Sequence, residues 1–192
     1  MAFITLMELL DMAITIAFVG FIFKDMFPKK QKMHELYHPK QGFDWESLKF
    51  AAMVVGPALI LHELAHKFLA MGFGMQATYQ AAYSWLIFGL ILKLMNFGFI
   101  VIVPAFVSIT GSGSALQFAL IAVAGPVMNL TLWLGLSFLL KKKMIASKHY
   151  AWAYFAKEIN KFLFIFNMIP IPGFDGFKFF SGLIQTFFGK IF

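Results

Sequence analysis

Leu59-Ile60-Leu61-His62-Glu63-Leu64-Ala65-His66 is the stretch on which the reading of this chain turns. Its histidines stand four apart, so on a helix both imidazoles leave one face and can reach one cation. Glu63 lies about 100° round the helix from His62, where it borders the same cleft without binding the metal. Two ligands and a general base in the order H-E-x-x-H are the working parts of a hydrolytic zinc site. The setting is unusual for such a site. The flanking residues are apolar, so lipid rather than water is expected around this helix.

Composition agrees with that setting. The 192 residues are 60% hydrophobic, and the mean hydropathy is +0.79. A soluble domain of this size is nearer half apolar, and several runs approach the ~20 residues that a spanning helix needs. The expected fold class is a mainly α, polytopic integral membrane protein with about four to five membrane segments. A small β element and a re-entrant segment are expected after the second helix. A single domain is expected over 1–192, with its core at about 48–180 and a first span and polar loop in 1–47. There is no cysteine, so a metal must be held by His, Asp or Glu. The net charge of +7 rests on lysine alone, for the chain contains no arginine. In a membrane protein such lysines mark loop ends near anionic headgroups rather than nucleic-acid contacts. Glu8 and Asp11, with no early basic residue, do not resemble a cleaved signal peptide. The expected location is a multi-pass position in the cell membrane, with the lipid bilayer as partner.

Outward from the motif, a first span is expected from about Phe3 to Phe23, interrupted by Glu8 and Asp11 on one helical face. These acids either lie near the membrane surface or face a water-filled cavity. Lys24 to Ser47 is a polar connection containing a second H-E-x-x-H, His34 to His38. Pro39 disfavours helical geometry at His38, and nearby lysines oppose a cation, so this copy reads as a chance recurrence. The second span runs from about Leu48 to Phe73, capped by Asp44 or Ser47, with Pro57 one turn before His62. Ala77 to Gln80 suggests a short strand, and Trp85 to Met95 a re-entrant or interfacial helix. Phe99 to Val107 is β-branched and reads as a strand, placed at an edge by Pro104. Ser114 to Leu140 is a third span with Gly125, Pro126 and Asn129 at its centre. A fourth runs from about Tyr150 to Met168, where Glu158 and Lys161 are spaced to pair. Phe177 to Phe192 suggests a terminal helix in the interface.

Two histidines do not complete a catalytic zinc site; a third ligand is needed, with one position left for water. Beyond the fourth span the chain reads Asn167-Met168-Ile169-Pro170-Ile171-Pro172-Gly173-Phe174-Asp175-Gly176. Two prolines stop the helix and place Asp175 at the broken end of an apolar segment. The residues alone leave two readings open there, a third ligand and a turn aspartate facing water.

Taken together, three motifs resemble the site-2 proteases, which are intramembrane zinc metalloproteases. They are His62-Glu63-Leu64-Ala65-His66, Gly125-Pro126-Val127-Met128-Asn129, and Asn167 followed eight residues on by Asp175-Gly176. The resemblance covers roughly residues 48 to 180. It implies one Zn²⁺ held by His62, His66 and Asp175, with Glu63 as the base. It also implies that Asn167 contacts substrate or steadies the oxyanion. Asn129 matches the family's middle-helix asparagine, with a role either in catalysis or in tying helices together. Phe174 stands where the family has leucine. No PDZ insertion separates the second and third motifs and no appended CBS pair is evident, so the gating helices are expected to reduce to the N-terminal span and a short tail.

The function these residues imply is hydrolysis of peptide bonds within or near transmembrane segments of substrate proteins. A metal-ion transporter would need His62, His66 and acids along a path but not Glu63, and a silent relative would only bind membrane helices. Orientation carries a conflict. The lysines at 24–40 and 141–148 fall on one side, which the positive-inside rule assigns to the cytoplasm. The family resemblance implies the reverse, with the segment after His66 cytoplasmic.

Overall fold

The computed structural model describes residues 3–27, 42–97 and 102–189. These form six α-helices and two strands: α1 (Leu6–Phe23), α2 (Trp45–Gly72), β1 (Gln76–Ala81), α3 (Tyr83–Leu94), β2 (Ala105–Thr110), α4 (Ala115–Lys141), α5 (Tyr150–Asn167) and α6 (Asp175–Phe188). A single 3₁₀ turn, Ser147–His149, leads into α5. The second histidine motif, His34 to His38, lies outside the described residues, as does the start of the strand expected from Phe99.

Three helices, α1, α2 and α4, are long and apolar enough to cross a membrane. Only 33% of the most apolar window of each is buried within the protein. Their outer faces present large apolar residues such as Leu6, Leu134 and Phe138. In water such surfaces would drive association, whereas hydrocarbon suits them; the arrangement is compatible with a membrane protein. The fourth expected span is helical, but Lys157, Glu158 and Lys161 set α5 apart from those three. Glu158 pairs with Lys157 at 2.6 Å rather than with Lys161, and the Lys161 ammonium lies 5.7 Å from the Trp133 ring centroid.

Local chemistry sets the helix starts. Thr5 and Glu8 make a reciprocal capping box at α1, and Ser114 and Gln117 make another at α4. Asp44, not Ser47, caps α2 by accepting from Ser47 N–H at 3.0 Å. Pro57 has no N–H to give Met53 O four residues back. The Trp152 indole of α5 donates to that carbonyl at 3.0 Å, so the interruption becomes a tie between helices.

α4 packs against α2, α5 and α6, and α2 also touches α1 and both strands. The helices meet at small residues: Gly20 faces Ala52, and Gly182 faces Ala119. Close approach of this kind gives packing energy where lipid supplies no hydrophobic drive. Val19, Val54, Val55 and Leu86 fill the α1–α2–α3 contact. Phe27 meets Phe50 and Phe155 edge-on, at 5.4 and 5.3 Å.

β1 and β2 form an antiparallel pair in which Tyr79 faces Val107. The first strand falls where the sequence places it. The second is shifted to Ala105–Thr110, because Pro104 cannot donate to a ladder and instead closes its end by accepting from Ala82 N–H at 3.0 Å. Tyr79 and Ala81 turn their N–H groups away from β2, to Glu8 Oε1 at 2.7 Å and Asp11 Oδ2 at 3.1 Å. Glu8 is buried and also pairs with Lys67 of α2. The two acids of α1 thus dock it onto the outer edge of β1.

Candidate metal centre

α2 brings His62 and His66 to its face against α4, and the start of α6 brings Asp175 to the same point. The Nε2 atoms of the histidines are 3.1 Å apart. Asp175 Oδ2 lies 3.1 Å from His62 Nε2 and 3.2 Å from His66 Nε2. Among the described residues these three form a group able to hold a metal ion. Gly173 makes the approach possible, turning with φ of 101° in a region that suits a residue without Cβ. Phe174 stacks edge-on against Phe166 at 4.8 Å and fixes the turn to the end of α5.

The other nitrogen of each ring is committed elsewhere. His66 Nδ1 lies 2.7 Å from Ile121 O, a backbone carbonyl of α4. His62 Nδ1 lies 2.6 Å from Asn129 Oδ1. Both partners are acceptors, so both rings carry their proton on Nδ1 and present a bare Nε2 lone pair. Three electron-rich atoms then face one another within 3.2 Å, a costly arrangement unless positive charge lies among them. Their spacing is close to the about 3.3 Å edge of a tetrahedron with metal–nitrogen bonds of about 2.0–2.1 Å. Nitrogen, nitrogen and carboxylate oxygen are a donor set that zinc accepts, so the residues fit the ion. Burial works to raise the Asp175 carboxyl; where the rings are protonated at Nε2, their hydrogen bonds and charge outweigh that and hold it below the usual carboxylate range. Positive charge at this point, whether from imidazolium or from a metal, favours the ionised form that a ligand must take.

Gly125 shows how closely α4 presses on the centre. A Cβ there would lie 2.6 Å from His62 Nε2 and would also collide with His66 Nε2. Glu63, His62, His66, Asp175 and Asn167 all line one cavity of about 950 Å³. β2 also lines that cavity through Ala105, Val107 and Ile109. Asn167 uses one amide N–H on Leu163 O, one turn back at 3.0 Å, and has a second left over. Lys178, three residues and almost one turn beyond Asp175, sits 3.7 Å from its other oxygen and is largely exposed.

The sequence reading named the three donor residues, Glu63 and Asn167, and the structure brings all five to one cavity. It left Asn129 undecided; the buried amide contacts His62 directly. It missed Asn160, whose Oδ1 accepts from Asn129 Nδ2 at 2.9 Å. The available signal was spacing: Asn160 lies seven residues, about two turns, before Asn167 on the same face of α5.

Fold and donor set together define a class, a helical protein of apolar character with a buried centre suited to a divalent metal. A protein of Methanocaldococcus jannaschii named "Putative zinc metalloprotease MJ0611" is 33% identical over 172 residues, covering 89% of this chain and 82% of the relative. The chain belongs to that zinc metalloprotease family. No family model matches the sequence, and no solved structure matches it.

Proposed function

We propose that this protein is an intramembrane zinc metalloendopeptidase of the site-2 type, cutting peptide bonds within or near transmembrane segments. The observation that carries this reading is the convergence of His62, His66 and Asp175, with Glu63 beside them, on helices whose outer faces suit lipid. His62, His66 and Asp175 would hold the ion, which supplies Lewis acidity to water and to a substrate carbonyl. Glu63, next to His62 on the cavity wall, takes the proton from the attacking water and returns it to the leaving amine. Asn167 offers its remaining N–H to the developing oxyanion; loss of such a donor costs about 10²–10³ in rate.

A helical substrate hides its peptide bonds, so the segment to be cut must be extended. The strand pair supports a place for it. Because Tyr79 and Ala81 point their N–H groups outward, their partners Val107 and Ala105 also turn N–H and C=O to the outer side of β2. The acids of α1 cover the β1 edge, while β2 borders the cavity, so an extended segment adds to β2. The test is protein purified in detergent, wild type against Glu63→Gln, given a model transmembrane substrate with zinc content measured in both. We expect zinc to be retained and cleavage to fall by at least about 10²-fold. Equal cleavage by both proteins would sink the protease reading and favour a metal carrier.

A further inference from the structure

The buried amides of Asn129 and Asn160 form a line of hydrogen bonds whose direction is set at its ends. Ala156 O is a helix carbonyl and only accepts, so the Asn160 atom 2.8 Å from it is Nδ2. That turns Asn160 Oδ1 toward Asn129, where it accepts from Nδ2 at 2.9 Å. Ala58 O, again only an acceptor, takes the other Asn129 N–H at 3.1 Å. With both N–H bonds committed, Asn129 is left with Oδ1 facing His62 Nδ1 at 2.6 Å, and that oxygen demands a proton from the ring. An amide alone in this place could rotate by half a turn. Here rotation would leave two bonds unmade in a region closed to water, for both asparagines are buried.

We propose that Asn160 is a positioning residue for the metal centre: acting through Asn129, it holds His62 in the Nδ1–H tautomer and keeps Nε2 bare for zinc. The proposal rests on the zinc reading above. Asn160 itself touches neither the ring nor the ligand atoms. Without its oxygen, one of the two bonds that orient Asn129 is gone, and the flipped amide becomes accessible. A flipped amide would present N–H to His62 Nδ1, move the ring proton to Nε2 and block the metal position. The relay also joins three helices, since His62 and Ala58 lie in α2, Asn129 in α4 and Asn160 in α5.

The experiment compares the zinc affinity of purified full-length wild type, Asn160→Leu and Asn160→Asp by competition with a chromophoric chelator. Leucine fills similar space and accepts nothing. A neutral aspartic acid can reproduce both bonds of the asparagine. Zinc binding should weaken about tenfold in Asn160→Leu, the low end of the range for outer-sphere partners of a metal ligand, and stay within about threefold of wild type in Asn160→Asp. Melting of the zinc-free proteins separates this from a packing role. If both variants lower that melting temperature alike while the folded protein binds zinc as wild type does, the proposal is overturned. Where the leucine variant does not fold, Asn160→Ala removes the same acceptor without bulk and is held to the same outcome. A wild type that binds no zinc overturns the metal reading itself, whereas unchanged tight binding in Asn160→Leu overturns the relay alone.

Discussion

At the scale of single residues, the centre depends on what is absent as much as on what is present. Gly125 contributes no side chain, and that lets α4 lie against the edges of both imidazoles. An added methyl cannot be accommodated by a surface rotamer change, because it meets ring atoms that are themselves fixed through Nδ1. Gly125→Ala is therefore expected to cost at least about tenfold in zinc affinity, the scale seen when a ligand's support is disturbed. Zinc content after dialysis against a weak chelator measures this; full retention would show that α4 can retreat. The candidate histidines were legible from their spacing of four, whereas the residues around Asp175 left its role open and the resemblance supplied it. Asn160 was harder to read: its spacing from Asn167 marks a shared face of α5, but its meaning depends on an amide in another helix.

At the scale of elements, α1 and the strand pair depend on one another. Glu8 ties three parts together: it caps α1 through Thr5, accepts from Tyr79 of β1 and pairs with Lys67 of α2. Lys67 directly follows the second zinc-ligating candidate, so the docking of α1 begins one residue from the metal centre. Taking one partner from a buried pair leaves an uncompensated charge and typically costs about 3–5 kcal/mol. Lys67→Met should lower stability by that order in denaturant melts in detergent, and the double variant Glu8→Gln with Lys67→Met should recover most of it. A single variant as stable as wild type would mean that Glu8 is satisfied by backbone donors alone. On the other strand, Val107 turns its N–H to the outer edge, so a proline there spares the ladder and removes one donor from the proposed substrate edge. Val107→Pro is expected to lower kcat/KM for a transmembrane substrate about tenfold, the worth of one hydrogen bond made in the transition state, with zinc content unchanged. An intact rate would rule out strand addition at that position. The sequence showed that strands were present but not where the second one pairs. Pro104 lies within the β-branched run and ends the ladder, so the pairing moves downstream to residues whose composition alone is less strand-like.

Across the whole molecule, helix identity was read from apolar length and held for α1, α2 and α4. The expected fourth span fell short for a composition already visible, three charges within α5, whose weight depends on whether they face lipid or protein. What neither apolar length nor packing fixes is which end of the molecule faces the cytoplasm. α4 is the helix on which to test it: its 27 residues extend about 40 Å, long enough to pass a ~30 Å hydrocarbon core at both ends. Its first end carries Ser112 just before the Ser114 cap, and its last carries Lys141, Lys142 and Lys143, all exposed. The positive-inside rule draws the lysine end inward; the site-2 resemblance draws the Ser112 end inward. The lysine bias has exceptions, and the resemblance rests on three motifs in order. We therefore expect the orientation that the resemblance implies. Because the protein has no cysteine, single substitutions Ser112→Cys and Lys143→Cys give clean probes for a membrane-impermeant thiol reagent added to intact cells. Labelling of Lys143→Cys alone is the expected result. Labelling of Ser112→Cys alone would put the lysines inside and overturn the expected orientation.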